Sequence, residues 1–113
     1  MAVAKCSKSE RIRTLNDTFR ESFLGGQVML TSGVAALEDD VKAQVLLAVR
    51  QFKDFDEGND PHGEHDFGSF DVAGERYFFK LDYFDKELKN GSEDSSDTEK
   101  TTRVLTIMRA DEY

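Results

Sequence analysis

The apolar residues Ile12, Leu15, Phe19 and Phe23 recur every three or four positions, the spacing of one face of an amphipathic helix. Ser7 or Ser9 stands ahead of them as a side-chain acceptor for the free N–H groups of the first turn. Gly25-Gly26 closes the pattern, since residues without a Cβ take the turns that stop helices. Residues 27–31 then read as a short strand and Ser32-Gly33 as a turn. Residues 34–37 fit one helical turn, after which Glu38, Asp39 and Asp40 place negative charge at the positive end of a longer helix predicted to reach residue 53. Its stripe of Val41, Val45, Val49 and Phe52, joined by Ala48 and flanked by Leu46 and Leu47, predicts burial over more than half the circumference.

Past residue 66 the period changes from helical to alternating. Residues 67–72 and 75–84 are β-like runs joined by Ala73-Gly74, a two-residue link suited to an antiparallel hairpin. That link sets a register: Asp71 faces Arg76, Phe70 faces Tyr77, and His65 faces Asp82 if pairing extends so far. Residues 85–100 contain Asn90-Gly91 and a polar run without an apolar anchor after Leu88, which predicts a mobile acidic loop. Residues 101–109 alternate again, with Val104, Thr106 and Met108 on one face and Leu105 and Ile107 on the other. Apolar residues on both faces predict an interior strand. The expected fold is one α+β domain, ordered α-β-α-β-β-β, with helices on one face of a mainly antiparallel sheet.

Composition sharpens this picture in two ways. Nine Phe and three Tyr with no Trp predict an aromatic core within a chain of 113 residues, long enough for one domain. A formal charge of −8 opposes docking on nucleic acid, which needs clustered Lys and Arg; Lys5, Lys8, Arg11 and Arg13 are confined to the N-terminal segment. The expected partner is instead a protein with a basic surface, and one whose groove normally holds nucleic acid meets that description. Cys6 is the single cysteine, so no intrachain disulfide forms and a reducing compartment fits. With no apolar run of signal-peptide or membrane-spanning length, the expected location is the cytoplasm.

Residues 54–68 hold the only proline and both histidines among a crowd of carboxylates. Imidazole and carboxylate are ordinary metal ligands, yet His62 and His65 are three apart rather than four, and Pro61 and Gly63 oppose a helix. A calcium loop beginning at Asp54 lacks its third ligand, its turn glycine and its closing Glu. No metal or other cofactor is therefore expected, with His62 and His65 the ligands if one binds. His62-x-Glu64 lacks the downstream cysteines of a zinc deaminase. Acid–base chemistry through His62, Glu64, His65 and Asp82 stays open as a hydrolytic alternative. A recognition surface made of Asp54, Asp56, Glu57, Asn59, Asp60 and Asp66 competes with it. So does a purely structural role, in which these side chains satisfy turn amides and bridge strands.

The segments Arg11–Phe19, Thr31–Leu37, Asn59–Gly68 and Thr102–Met108 together resemble a family of small bacterial proteins catalogued as a domain of unknown function (three-seven-six-eight). The His-containing block is the most specific of the four. The resemblance implies a bacterial source and frequent carriage on plasmids and other mobile elements, and it assigns no activity, cofactor or catalytic residue. The combined expectation is an acidic binding or regulatory protein, such as an inhibitor of a nucleic-acid-handling host or defence protein. A small hydrolase or metal-dependent enzyme is the alternative.

Overall fold

The computed structural model describes residues 7–113; Lys5 and Cys6, and the expectations attached to them, lie outside the described residues. Ser7 opens helix α1 (Lys8–Ser22) by accepting the Glu10 N–H at 3.1 Å, which satisfies one of the orphan donors of the first turn. The helix stops ahead of the two glycines, because Phe23 itself takes a left-handed conformation (φ 60°) and returns its N–H to the Phe19 carbonyl. Strand β1 (Gln27–Leu30), the short helix α2 (Ser32–Ala35) and helix α3 (Asp39–Gln51) follow. Then come β2 (Phe67–Val72), β3 (Glu75–Phe84), β4 (Thr102–Arg109) and a closing 3-10 turn over Ala110–Glu112.

The four strands form one sheet in the order β1-β4-β3-β2. β2 and β3 make the antiparallel hairpin set by Ala73-Gly74, with Phe70 opposite Tyr77 and Asp71 opposite Arg76. β4 lies inside the sheet, antiparallel to β3 and parallel to β1, which accounts for its two apolar faces. The fold is α+β, with the mainly antiparallel sheet carrying its helices on one face.

That covered face is where the core sits. Phe79 and Leu81 from β3 and Leu105 and Ile107 from β4 pack with Phe19 of α1, Val34 of α2, and Val45 and Val49 of α3. Burial of each large apolar side chain contributes about 1.5–3 kcal/mol relative to exposure. α3 buries a narrower stripe than its composition suggests, because Leu47 is 48% exposed and only the Val45, Val49 and Phe52 line is buried. Residues 85–100 are anchored by polar contacts rather than apolar side chains. Asp94 accepts from the N–H and hydroxyl of Ser96, which hold its carboxyl down to about 2. Ser92 and the buried Thr101 share a hydroxyl contact at 2.6 Å.

Gly68 is demanded by packing. A Cβ on Gly68 would run into the Phe79 ring and press on Phe52, so β2 can lie close under α3 only without a side chain there. Gly68→Ala should cost about 1–3 kcal/mol by overpacking. Urea unfolding checks this, and an unchanged midpoint would contradict it.

Candidate functional site

Of the residues singled out in the sequence, Glu64 and His65 meet α1, and Asp60 contacts His65. That helix buries Ile12, Asn16, Phe19 and Arg20 on one stripe, so two of its four inward positions are polar. Buried polar groups must be bonded or they cost about 1–3 kcal/mol each, and their partners come from the His-containing segment, from β3 and β4, and from the C-terminal end of α3.

Asn16 is fully buried. Its amide nitrogen donates to the Glu64 carbonyl at 2.9 Å and to the Tyr83 hydroxyl at 2.8 Å. Its oxygen accepts the Arg103 Nε–H at 2.9 Å. The Tyr83 hydroxyl in turn donates to Glu64 Oε1 at 2.8 Å, while the Arg103 guanidinium lies 5.4 Å from the centre of the Tyr83 ring and donates to the Ser95 carbonyl. Burial pushes the Tyr83 phenol far above its ordinary range, with the Glu64 and Asp66 charges adding to the effect. The same burial lowers the Arg103 guanidinium from its usual value, which its attraction to Tyr83 and Glu64 opposes.

At the next position of α1, Asp17 receives the His65 imidazole, whose Nδ1 lies 2.8 and 3.0 Å from its two oxygens. A carboxylate only accepts, so Nδ1 carries the proton. Nε2 faces Asp60 Oδ2 at 3.6 Å, and the His65 backbone N–H donates to Asp60 Oδ1 at 3.0 Å. The ring stacks on Phe55 with centroids 3.8 Å apart and planes 3° from parallel. The Arg20 guanidinium closes the cluster from below. It donates to Asp17 at 3.1 Å and to the Val49 and Phe52 carbonyls at 2.8 and 3.0 Å, at the C-terminal end of α3.

The register expectation for His65 therefore fails. Pairing ends with the Leu81 N–H on the Asp66 carbonyl, because His65 takes a left-handed conformation (φ 55°) that turns the chain out of the ladder. Asp82 faces Val104 across β3 and β4 and pairs with Lys80 at 3.3 Å, on the sheet face away from the helices. The carboxylates beside His65 are Asp17 and Asp60. His62 is exposed on the loop, so the two imidazoles sit in different environments. Among the described residues no group of three or more His, Cys, Asp or Glu side chains is placed to hold a metal ion.

Most of the remaining candidates hold backbone. Asp56 accepts the N–H groups of Gly58 and Asn59 at 2.8 and 2.9 Å. Asn59 bonds the Asp56 N–H and the Asp54 carbonyl, and Asp60 is buried. The side chains of Asp54 and Glu57 are left to solvent. No hydroxyl is hydrogen-bonded to His65 among the described residues; Ser69 accepts from Arg76 and Thr31 donates to Glu112.

The residues missed in the sequence are Asn16, Asp17, Arg20 and Arg103. A signal for three of them is present. Asn16 and Arg20 continue the Ile12 stripe at four-residue steps, and Arg103 shares the face of Leu105 and Ile107. A polar residue on an otherwise apolar face needs a buried partner.

A family model described as Protein of unknown function (DUF3768) matches residues 30–112. The chain belongs to that family. The matched stretch contains His62, Glu64, His65, Tyr83 and Arg103, whereas α1, which supplies Asn16, Asp17 and Arg20, precedes it. No curated protein and no solved structure matches the chain. Among the described residues no helix is long and apolar enough to cross a membrane.

Asp66 gives this cluster a pH signature. Burial raises its pKa above the ordinary 3.8, and the charges of Glu64 and Asp60 raise it further, against its own backbone N–H and His62. Because the folded state holds the raised value, ionising Asp66 destabilises the fold. The penalty is absent below 3.8 and complete above the folded value. Asp66→Asn should therefore raise the urea midpoint at neutral pH, with the gain shrinking as pH falls towards 3.8. A gain that does not vary with pH would contradict this origin.

Proposed function

We propose that this chain is a protein-binding module whose anionic surface engages a partner with a basic surface. The observation that carries the reading is the direction in which the His-containing segment spends its polar atoms. His65 is held between Asp17 and Asp60 and stacked on Phe55, so Nδ1 is engaged within the fold and Nε2 faces a carboxylate. General acid–base work needs a ring nitrogen within reach of a substrate proton, and the hydrolytic reading through His62, Glu64, His65 and Asp82 gains no support from these distances.

What the surface does present is unbalanced negative charge. The chain carries 23 acidic against 15 basic residues, and the side chains of Glu38, Asp39, Asp54, Glu57, Glu93 and Glu99 are exposed. Such a field speeds encounter with a cationic partner and is screened beyond about 10 Å at moderate salt. A nucleic-acid-handling protein of a host or defence system offers a surface of this kind, and an anionic module seated in its groove would inhibit it.

Immobilised chain incubated with bacterial lysate should retain a saturable partner that salt releases and that binds less well to the Asp54→Asn, Glu57→Gln variant. Recovery of no saturable, salt-sensitive partner would contradict the reading.

A further inference from the structure

The helices cover one face of the sheet, and the other carries a balanced pattern of its own. On this second face stand Phe67 and Asp71 of β2, Arg76, Phe78, Lys80 and Asp82 of β3, and Met29 of β1, as the strand registers require. Tyr113 extends the apolar strip, its ring set edge-on to Phe67 and Phe78 at 6.1 and 5.4 Å. It is held there by the preceding turn, in which Glu112 accepts from the Thr31 hydroxyl and the Gly33 and Arg109 N–H groups. Tyr113 is 76% exposed and Met29 50% exposed. Beside Tyr113 lies a depression of about 360 Å³ reaching Lys80 and Thr106.

The charges of these strands cancel on this face. Arg76 pairs with Asp71 at 2.8 Å and Lys80 with Asp82 at 3.3 Å, in a chain whose net charge is −8. Like charges brought together on association are costly, so an apolar surface with balanced charge is where two such anions approach at least cost. It is also self-complementary. In a two-fold contact each residue meets its counterpart's neighbour reciprocally, and an axis crossing β3 between Lys80 and Asp82 sets each lysine against the other copy's aspartate.

We propose that two copies of this chain pair face to face through this surface, burying Met29, Phe78 and Tyr113 and leaving the acidic loops outward. Four strands of this length present a flat projection on the order of 500 Å², less than the roughly 800 Å² per partner of a standard stable complex. The pairing is therefore weak and depends on concentration.

Sedimentation equilibrium of the full chain across the micromolar range tests it. The expected result is a reversible dimer that Met29→Glu with Tyr113→Ser weakens at least tenfold, while circular dichroism shows the variant still folded because the two side chains are 50% and 76% exposed. The charge pattern gives an independent check. Lys80→Glu and Asp82→Lys should each be monomeric alone and associate when mixed, since the mixture restores opposite charges across the axis. A wild-type chain that stays monomeric, leaving the face to solvent or to a different protein, overturns the proposal. So does a dimer indifferent to these variants.

Discussion

A primary amide with no access to water constrains the rest of this structure. Asn16 can sit fully buried on α1 only because three groups far away in the chain meet it: the Glu64 carbonyl, the Tyr83 hydroxyl and the Arg103 guanidinium. Removing any one leaves a donor or acceptor stranded in a medium where unpaired polar groups are costly. The helix, the His-containing loop and two strands are thereby held in one relative position, more specifically than apolar contact could hold them. Asp17 and Arg20 extend the same logic along the helix, to His65 and to the end of α3.

This constraint decides how the loop is to be understood. A histidine flanked by carboxylates looks like catalytic equipment in a sequence, because an oriented imidazole is half of a general base. Here the orientation joins two parts of the fold. The ring's Nδ1 side is tied to α1, its face lies on Phe55, and its backbone is tied to Asp60. The family-matched stretch carries the loop, while the helix that completes it lies ahead of that stretch. The surfaces that this framework leaves open are the acidic exterior and the balanced apolar face of the sheet.

The parts of the fold legible in the sequence were those that depend on neighbours along the chain. Ala73-Gly74 set the β2–β3 register residue for residue, and the two apolar faces of residues 101–109 marked β4 as an interior strand. The parallel pairing of β1 with β4 was not legible, because it joins strands more than 70 residues apart through no local signal. His65 was placed opposite Asp82 by extending the hairpin two rungs too far. A left-handed residue that is not glycine leaves little trace in composition, and it redirected the ring to Asp17, 48 positions earlier. Asn16 and Arg103 were visible as polar intrusions on apolar faces, though not as partners of each other.

Native-state hydrogen exchange of the His65 and Leu81 amides tests the central claim most directly. The first donates to Asp60 and the second to the Asp66 carbonyl, so one reports on the loop and the other on its junction with β3. If the network rooted in α1 holds the loop as part of the core, both amides exchange only through global unfolding, as slowly as the β3–β4 ladder. A His65 amide that exchanges through a local opening, while the ladder stays closed, would contradict the account.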